Sequence, residues 1–350
     1  MEPVEDVAGR IIVIGASAGG VTSLRALVAK LPNDIDAAIF VVLHVSPDGI
    51  SLLPDILNHA GPLTASHPTD GEKIKRGRIY VACPDHHLLI VGDHVGVKRG
   101  PKENRFRPSI DALFRSAAYN YGARVIGVVL SGALDDGTSG LWTVKELGGV
   151  TVVQLPGEAA FDSMPLSALD HVQIDYSMSA AEIGSLIARL CEGPSHIEAA
   201  KAGVPGKQLE IEVAIAAGGD ALRKGVMTLG ELSSFSCPEC HGVLIKLTEG
   251  NKSRFRCHTG HAYTASALLS GVMTSIGEGS WQVMRALEEA AMLLEQMGRD
   301  IADGDRPKAA EPFFEKAREA TKRARLVREA TMEYEHTSDE TLRRGVTHPV

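Results

Sequence analysis

The sequence predicts an α/β chain: a doubly wound, mostly parallel sheet with helices on both faces, then a small zinc-ribbon-like module and a C-terminal helical hairpin. Three observations carry this expectation. Short apolar runs alternate with helical patterns up to about residue 193. Cys237, Cys240 and Cys257 crowd into one short region beside several histidines. Two long stretches of strong helix formers follow.

The elements can be justified in order. "RIIVIG" from Arg10, "AAIFVVLH" ending at His44, "RVIGVVLSG" from Arg124 and "GVTVVQ" from Gly149 are apolar almost throughout, as strands covered on both faces are. Between them, "VTSLRALVAKL" and "SIDALFRSAAYNYG" have helical spacing. This first domain spans residues 1–193. Residues 194–232 open with "PSHIEAAKAGVPGK", mixing Gly, Pro, Ala and charge without an apolar period, so they read as a linker. The Cys/His module occupies 233–270. Over 271–340, "WQVMRALEEAAMLLEQMGRDIA" and "PFFEKAREATKRARLVREATMEY" should form the hairpin, with "DGDRP" at its tip. No internal repeat is visible.

Composition narrows the function classes. With 350 residues, 44% hydrophobic content, net charge -8 and a pI near 5.9, the chain has no basic footprint for nucleic acid or an anionic membrane surface. No run approaches the roughly 20 apolar residues of a membrane span, and the acidic "MEPVEDVAGR" is unlike a signal peptide, so a cytoplasmic protein is expected.

"RIIVIGASAGG" is the first chemical signal. It resembles a dinucleotide-binding loop in part, but the second strand ends in His44, where that fold places an acidic ribose ligand. Gly15-Ala16-Ser17-Ala18-Gly19 also matches the nucleophile elbow, a strand-to-helix turn that raises a Ser hydroxyl above the sheet. Strand ends converge in such a sheet. Ser17 after the first strand and His44 after the second can therefore meet as nucleophile and base. "SGALDDGTSG" adds Asp135 and Asp136 at a third strand end, and an acid there would hold the His tautomer.

"SCPECHGVLIKLTEGNKSRFRCHTGHAY" has zinc-ribbon spacing: Cys237-x-x-Cys240, then Cys257-His258-x-x-His261. Either His can complete the set. His261 is preferred because the residue directly after Cys257 points away from its neighbour in an extended segment. Four protein ligands make the expected Zn structural, and catalysis needs no cofactor. Cys83 and Cys191 read as ordinary buried thiols. His86 and His87 read as cleft, turn or surface residues.

Several blocks, in order, make the region from about Arg10 to Leu190 resemble the chemotaxis protein-glutamate methylesterases of the CheB type. They are "IGASAGG", "VVLHVSPDG", "GRIYVACPDHHLLI", "RPSIDALFRSAA", "GVVLSGALDDGTSGL" and "DSMPLSAL". The resemblance implies a serine esterase that releases methanol from glutamate γ-methyl esters on chemoreceptor-like proteins, and deamidates receptor glutamines in many members. It places the nucleophile on Ser17, the base on His44 and the acid on Asp136, with Met164 and Pro165 bordering the site. Asp135 is then expected to face solvent or cap the helix that begins near Thr138.

Three departures stand out. Ala18 replaces the family's Thr, Ala133 and Leu134 replace its Met and Gly, and only nine residues precede the first strand where a phospho-receiver domain is usual. Control within the chain by phosphorylation is therefore not expected, and the C-terminal region is expected to meet signalling partners. The competing reading is a non-catalytic docking protein on an esterase fold.

Overall fold

The computed structural model describes residues 9–192, 204–250, 252–303 and 307–344. It divides into two compact units, 1–268 and 269–350. The first contains β1 (Arg10–Ala16), α1 (Gly20–Val28), β2 (Ala37–Leu43), α2 (Leu53–Ala60), β3 (Thr64–Ser66), β4 (Arg78–Val81), β5 (His87–Val91), β6 (His94–Lys98), α3 (Ile110–Tyr121), β7 (Val125–Val129), α4 (Thr138–Glu146), β8 (Val150–Gln154), α5 (Ser163–His171), β9 (Tyr176–Met178) and α6 (Ala180–Cys191). There follow α7 (Lys207–Ala216), β10 (Glu231–Ser236), β11 (Val243–Glu249), β12 (Lys252–Cys257) and β13 (Ala262–Thr264). Helix α8 (Ala265–Asp303) starts in the first unit and, with α9 (Pro307–Arg344), makes up the second.

Seven strands form one sheet in the order β3-β4-β2-β1-β7-β8-β9, with every pairing parallel. Side chains alternate between its faces. Ile11, Val13, Phe40 and Val42 pack with Leu113 and Phe114 of α3, Leu141 of α4 and Met164 of α5. Ile12, Ile14, Ile39 and Val41 pack with Leu24 and Leu27 of α1, Leu57 of α2 and Ile183 of α6. The strand order reverses about β1, between β2 and β7. Such a switch point opens a crevice at the carboxyl ends of the strands.

The Cys/His module is a four-stranded antiparallel sheet, β10-β11-β12-β13. Residues 194–203 of the expected linker lie outside the described residues. Its later part is not a tether: Ile211 and Ile215 of α7 pack on Ile245 and Leu247 of β11, and Ala216 packs on Leu89 and Ala112 of the esterase-like region. The helix also supplies Glu212 to a closed ring of buried charge. Arg115 pairs with Glu103, Glu103 with Arg256 (2.9 Å), Arg256 with Glu212 (3.0 Å), Glu212 with Arg254 (3.0 Å) and Arg254 with Glu249. Ser139 closes it, donating to Glu249 (2.7 Å) and accepting from Arg115 (3.0 Å). Three arginines balance three glutamates, and each pair satisfies charges that would be costly to bury alone. Glu212, which burial alone would raise, is held well below the usual carboxylate range by Arg254, Arg256 and Arg115.

In the second unit, α8 and α9 are joined through Glu288–Arg328 (2.5 Å) and through the Tyr334 hydroxyl, which donates to the Met273 carbonyl (3.4 Å). Residues 304–306, the middle of the expected tip, lie outside the described residues. Among the described residues no helix is long and apolar enough to cross a membrane.

Candidate active site

Ser17 follows β1 and begins the turn into α1. Its N–H donates to the Ser131 carbonyl at the end of β7 (2.9 Å), which ties the elbow to the adjacent strand. Gly19 has φ +73, a left-handed backbone that glycine adopts without a Cβ penalty. Gly132 is required for another reason: a Cβ there would lie 2.1 Å from Met164 Sδ and 2.9 Å from Ser17 Cβ. Met164 is thus placed against the elbow, where the resemblance puts it.

His44 follows β2, and its N–H donates to the Ala16 carbonyl (3.2 Å). Its Nδ1 lies 3.2 Å from Ser17 Oγ and its Nε2 lies 2.8 Å from Asp136 Oδ2. The neutral tautomer carrying hydrogen on Nε2 satisfies both contacts, because it donates to the carboxylate and accepts from the hydroxyl. Phe106 stacks on the imidazole with ring centroids 3.7 Å apart and planes 7° apart.

Asp136, in the loop after β7, is buried and accepts five hydrogen bonds. His44 Nε2 and the Ile110 N–H (2.7 Å) reach Oδ2; Asn104 Nδ2 (2.9 Å), Ser109 Oγ (3.0 Å) and the Asp111 N–H (3.3 Å) reach Oδ1. Burial alone would raise this carboxyl, but the bonds from His44, Asn104 and the Ile110 N–H outweigh it and hold it down at about 2. It stays ionised against the imidazole. Nearby Asp111 is pushed up well above the usual range by its burial and by Asp136.

The model of the family described as CheB methylesterase matches residues 12–187. The chain belongs to the CheB methylesterase family. The crystal structure of the Thermotoga maritima CheB methylesterase catalytic domain superposes with a TM-score of 0.51 at 33% identity, covering 53% of this chain and 100% of that one. A Leptospira interrogans protein that bears the name protein-glutamate methylesterase/protein-glutamine glutaminase provisionally is 38% identical over 180 residues, 51% of this chain and 93% of the relative. The Thermotoga maritima protein-glutamate methylesterase/protein-glutamine glutaminase is 34% identical over 181 residues, and the match spans 53% of that longer protein.

Within this CheB-family site, Leu134 takes φ +63 where the resemblance expects Gly, a backbone that is strained for a branched side chain. Asp135 differs from its expected place. It is buried, not solvent-facing, because Thr264 at the end of β13 covers it and donates from Oγ1 (2.8 Å), and burial pushes its carboxyl up. His87 is fully buried and neutral, lowered to about 4 by burial. Its Nε2 donates to the Pro101 carbonyl (2.9 Å) and its Nδ1 accepts the Ser109 N–H (3.2 Å), so it supports a residue that touches Asp136. His86 stays outside this arrangement, bonded to the Pro84 carbonyl (2.9 Å). Cys83 and Cys191 are half-buried, not fully buried; His67 is bonded to the Val81 carbonyl (2.9 Å) and is raised to about 8 chiefly by the neighbouring Cys83. Asn104, Phe106, Ser109 and Asp111 were not singled out by the sequence, since no local pattern marks residues that act on a neighbour's side chain.

The family match ends before the four-stranded module. There Cys237, Cys240, Cys257 and His261 bring their ligand atoms within 4.8 Å of one another. Cys240 and Cys257 Sγ are 3.6 Å apart, and His261 Nδ1 lies 3.7 Å from Cys237 Sγ and 3.6 Å from Cys257 Sγ. A tetrahedron with Zn–S bonds of about 2.3 Å has edges of about 3.8 Å, so the donor set fits Zn in both softness and spacing. His258 is outside this group; its ring packs where a Cβ on Gly242 would be, 2.3 Å away.

Proposed function

We propose that this chain is a serine hydrolase that removes methyl groups from glutamate γ-methyl esters on chemoreceptor-like proteins in the cytoplasm. The observation that carries the reading is the continuous hydrogen-bonded path from Ser17 Oγ through His44 to Asp136, at the carboxyl ends of three strands of a CheB-family sheet. Ser17 Oγ attacks the ester carbonyl while its proton passes to His44 Nδ1. Asp136 stays ionised and stabilises the imidazolium through Nε2–H. Backbone N–H groups at the start of α1 receive the oxyanion. His44 then protonates the departing methoxide, methanol leaves, and water attacks the acyl-enzyme with His44 again as base. With glutamine as substrate, ammonia leaves in place of methanol by the same steps.

A Zn ion held by Cys237, Cys240, Cys257 and His261 belongs to this reading as a structural element that pins the ribbon. The decisive assay is methanol release from a methyl-labelled chemoreceptor. The chain should release label, and Ser17→Ala should lower turnover by about 10⁴ or more while keeping its circular dichroism. Near-normal turnover in Ser17→Ala would refute the serine mechanism.

A further inference from the structure

The turn from Glu103 to Phe106 lies between the ribbon and the candidate triad and touches both. On the ribbon side it is bound to β13: the Asn104 N–H donates to the Ala262 carbonyl (2.8 Å) and the Ala262 N–H to the Lys102 carbonyl (3.3 Å). Glu103 pairs with Arg256 of β12 (2.9 Å). On the triad side, Phe106 lies flat on His44 and Asn104 reaches Asp136.

The Asn104 amide is used completely. Its Oδ1 accepts the Thr264 N–H (2.9 Å), and Nδ2 donates one hydrogen to Asp136 Oδ1 (2.9 Å) and the other to Asp111 Oδ2 (2.8 Å). Only one orientation of the amide works. A backbone N–H can only donate, so Thr264 forces Oδ1 toward itself and turns the NH₂ group onto the two carboxylates. In the flipped amide, oxygen would face the ionised Asp136 carboxylate and NH₂ would face the Thr264 N–H, all buried. Thr264 lies three residues after His261, in the strand that begins next to it.

We infer that Asn104 is a positioning residue of the Ser17–His44–Asp136 triad, and that the Cys/His ribbon sets its orientation through the Thr264 N–H. This rests on the serine hydrolase reading above. Asn104 holds the Asp136 carboxylate in the rotamer that meets His44 Nε2 and disperses part of its charge. The other groups facing Asp136 are His44, the Ser109 hydroxyl, the Ile110 and Asp111 N–H groups and, across Asn104, the Asp111 carboxyl. Four donors remain when Asn104 is lost, so the expected effect is about tenfold, well short of losing the triad.

The test uses the full chain and Asn104→Gly, chosen because Asn104 sits at φ +51, where glycine is unstrained. Asn104→Ser serves as a second variant. Three quantities are read: the rate at which a fluorophosphonate labels Ser17, the acid limb of the ester-hydrolysis pH profile, and the downfield proton resonance of His44 Nε2–H. Labelling should slow about tenfold. The acid limb should move to higher pH, because a carboxylate with one donor fewer holds the protonated imidazole more strongly, and the resonance should shift. A folded variant with labelling within twofold, an unmoved limb and an unchanged resonance overturns the role of Asn104. The chain stripped of zinc by a chelator should shift the same resonance and slow labelling; no change in either overturns the role of the ribbon. If the hydrolase reading itself fails, Ser17 in the unaltered chain resists the label, while the His44 resonance still reports on Asn104.

Discussion

Asp136→Asn puts an amide where five donors converge, and the structure fixes what must follow. The Oδ1 position faces Asn104 Nδ2, the Ser109 hydroxyl and the Asp111 N–H; the Oδ2 position faces His44 Nε2 and the Ile110 N–H. The new NH₂ group must oppose one set. Toward Oδ1 it meets three donors, of which only the hydroxyl can turn to accept; toward Oδ2 it meets one obligatory donor and an imidazole that can change tautomer. The second arrangement is the less costly. It leaves His44 with its hydrogen on Nδ1, pointing at Ser17, and removes the base. Turnover should therefore fall by about 10⁴, while orphaning the buried Ile110 N–H destabilises the fold by about 1–3 kcal/mol.

Methanol release gives the first quantity and thermal melts give the second. The melts carry a further signature in pH. The Asp136 carboxyl sits at about 2 in the folded chain against about 3.9 unfolded. Its stabilisation is complete above the unfolded value and is lost as pH falls toward the folded one. The gap in Tm between the chain and Asp136→Asn should thus narrow between about pH 4 and pH 2. Turnover within tenfold of the unaltered chain, or a gap that widens on acidification, would refute this account.

Three further outcomes are expected. Elemental analysis should find one Zn per chain, with His261→Ala losing the metal and His258→Ala keeping it; the reverse would reassign the fourth ligand. Asp135→Asn should lower stability by about 1 kcal/mol through its contact with Thr264 and leave turnover within a few-fold, whereas crippled turnover would shift the acid to Asp135. Arg256→Met breaks the buried ring at a residue serving both Glu103 and Glu212. A urea titration should show a loss of about 3–5 kcal/mol, and a loss below about 1 kcal/mol would mean that the ring's charges are solvated or dispensable.

The parts of this architecture that could be read from sequence are those whose signal is local. A strand buried on both faces must be apolar at nearly every position, so β1, β2, β7 and β8 declare themselves. In a parallel sheet their carboxyl ends share an edge, which is why the sequence brings Ser17, His44 and the Asp135–Asp136 pair together, while the choice of Asp136 within that pair comes from the family resemblance. Helix α7 did not declare itself. Its polar Glu212 is buried, and its worth depends on Arg254 and Arg256, more than forty residues away. Asp135 was misplaced for the same reason: what covers it is Thr264, 129 positions on. Asn104 gains its meaning only from three partners on three separate segments.

The ring of buried charge bears on how the seven-stranded and four-stranded sheets of this unit can diverge. Glu103 and Arg256 are 153 positions apart yet neutralise each other with almost no access to solvent. A mutation that neutralises either one leaves the ring of three arginines and three glutamates with one unbalanced buried charge, so substitutions on the esterase side are tolerated only with compensating ones in the ribbon. Charge-neutral pairs such as Glu103→Gln with Arg256→Gln should be viable where each single change is not. Drift in the two sheets is thereby locked together: a ribbon grafted from another chain would bring the same cysteines and histidine and still fail to seat unless its arginines met Glu103 and Glu212.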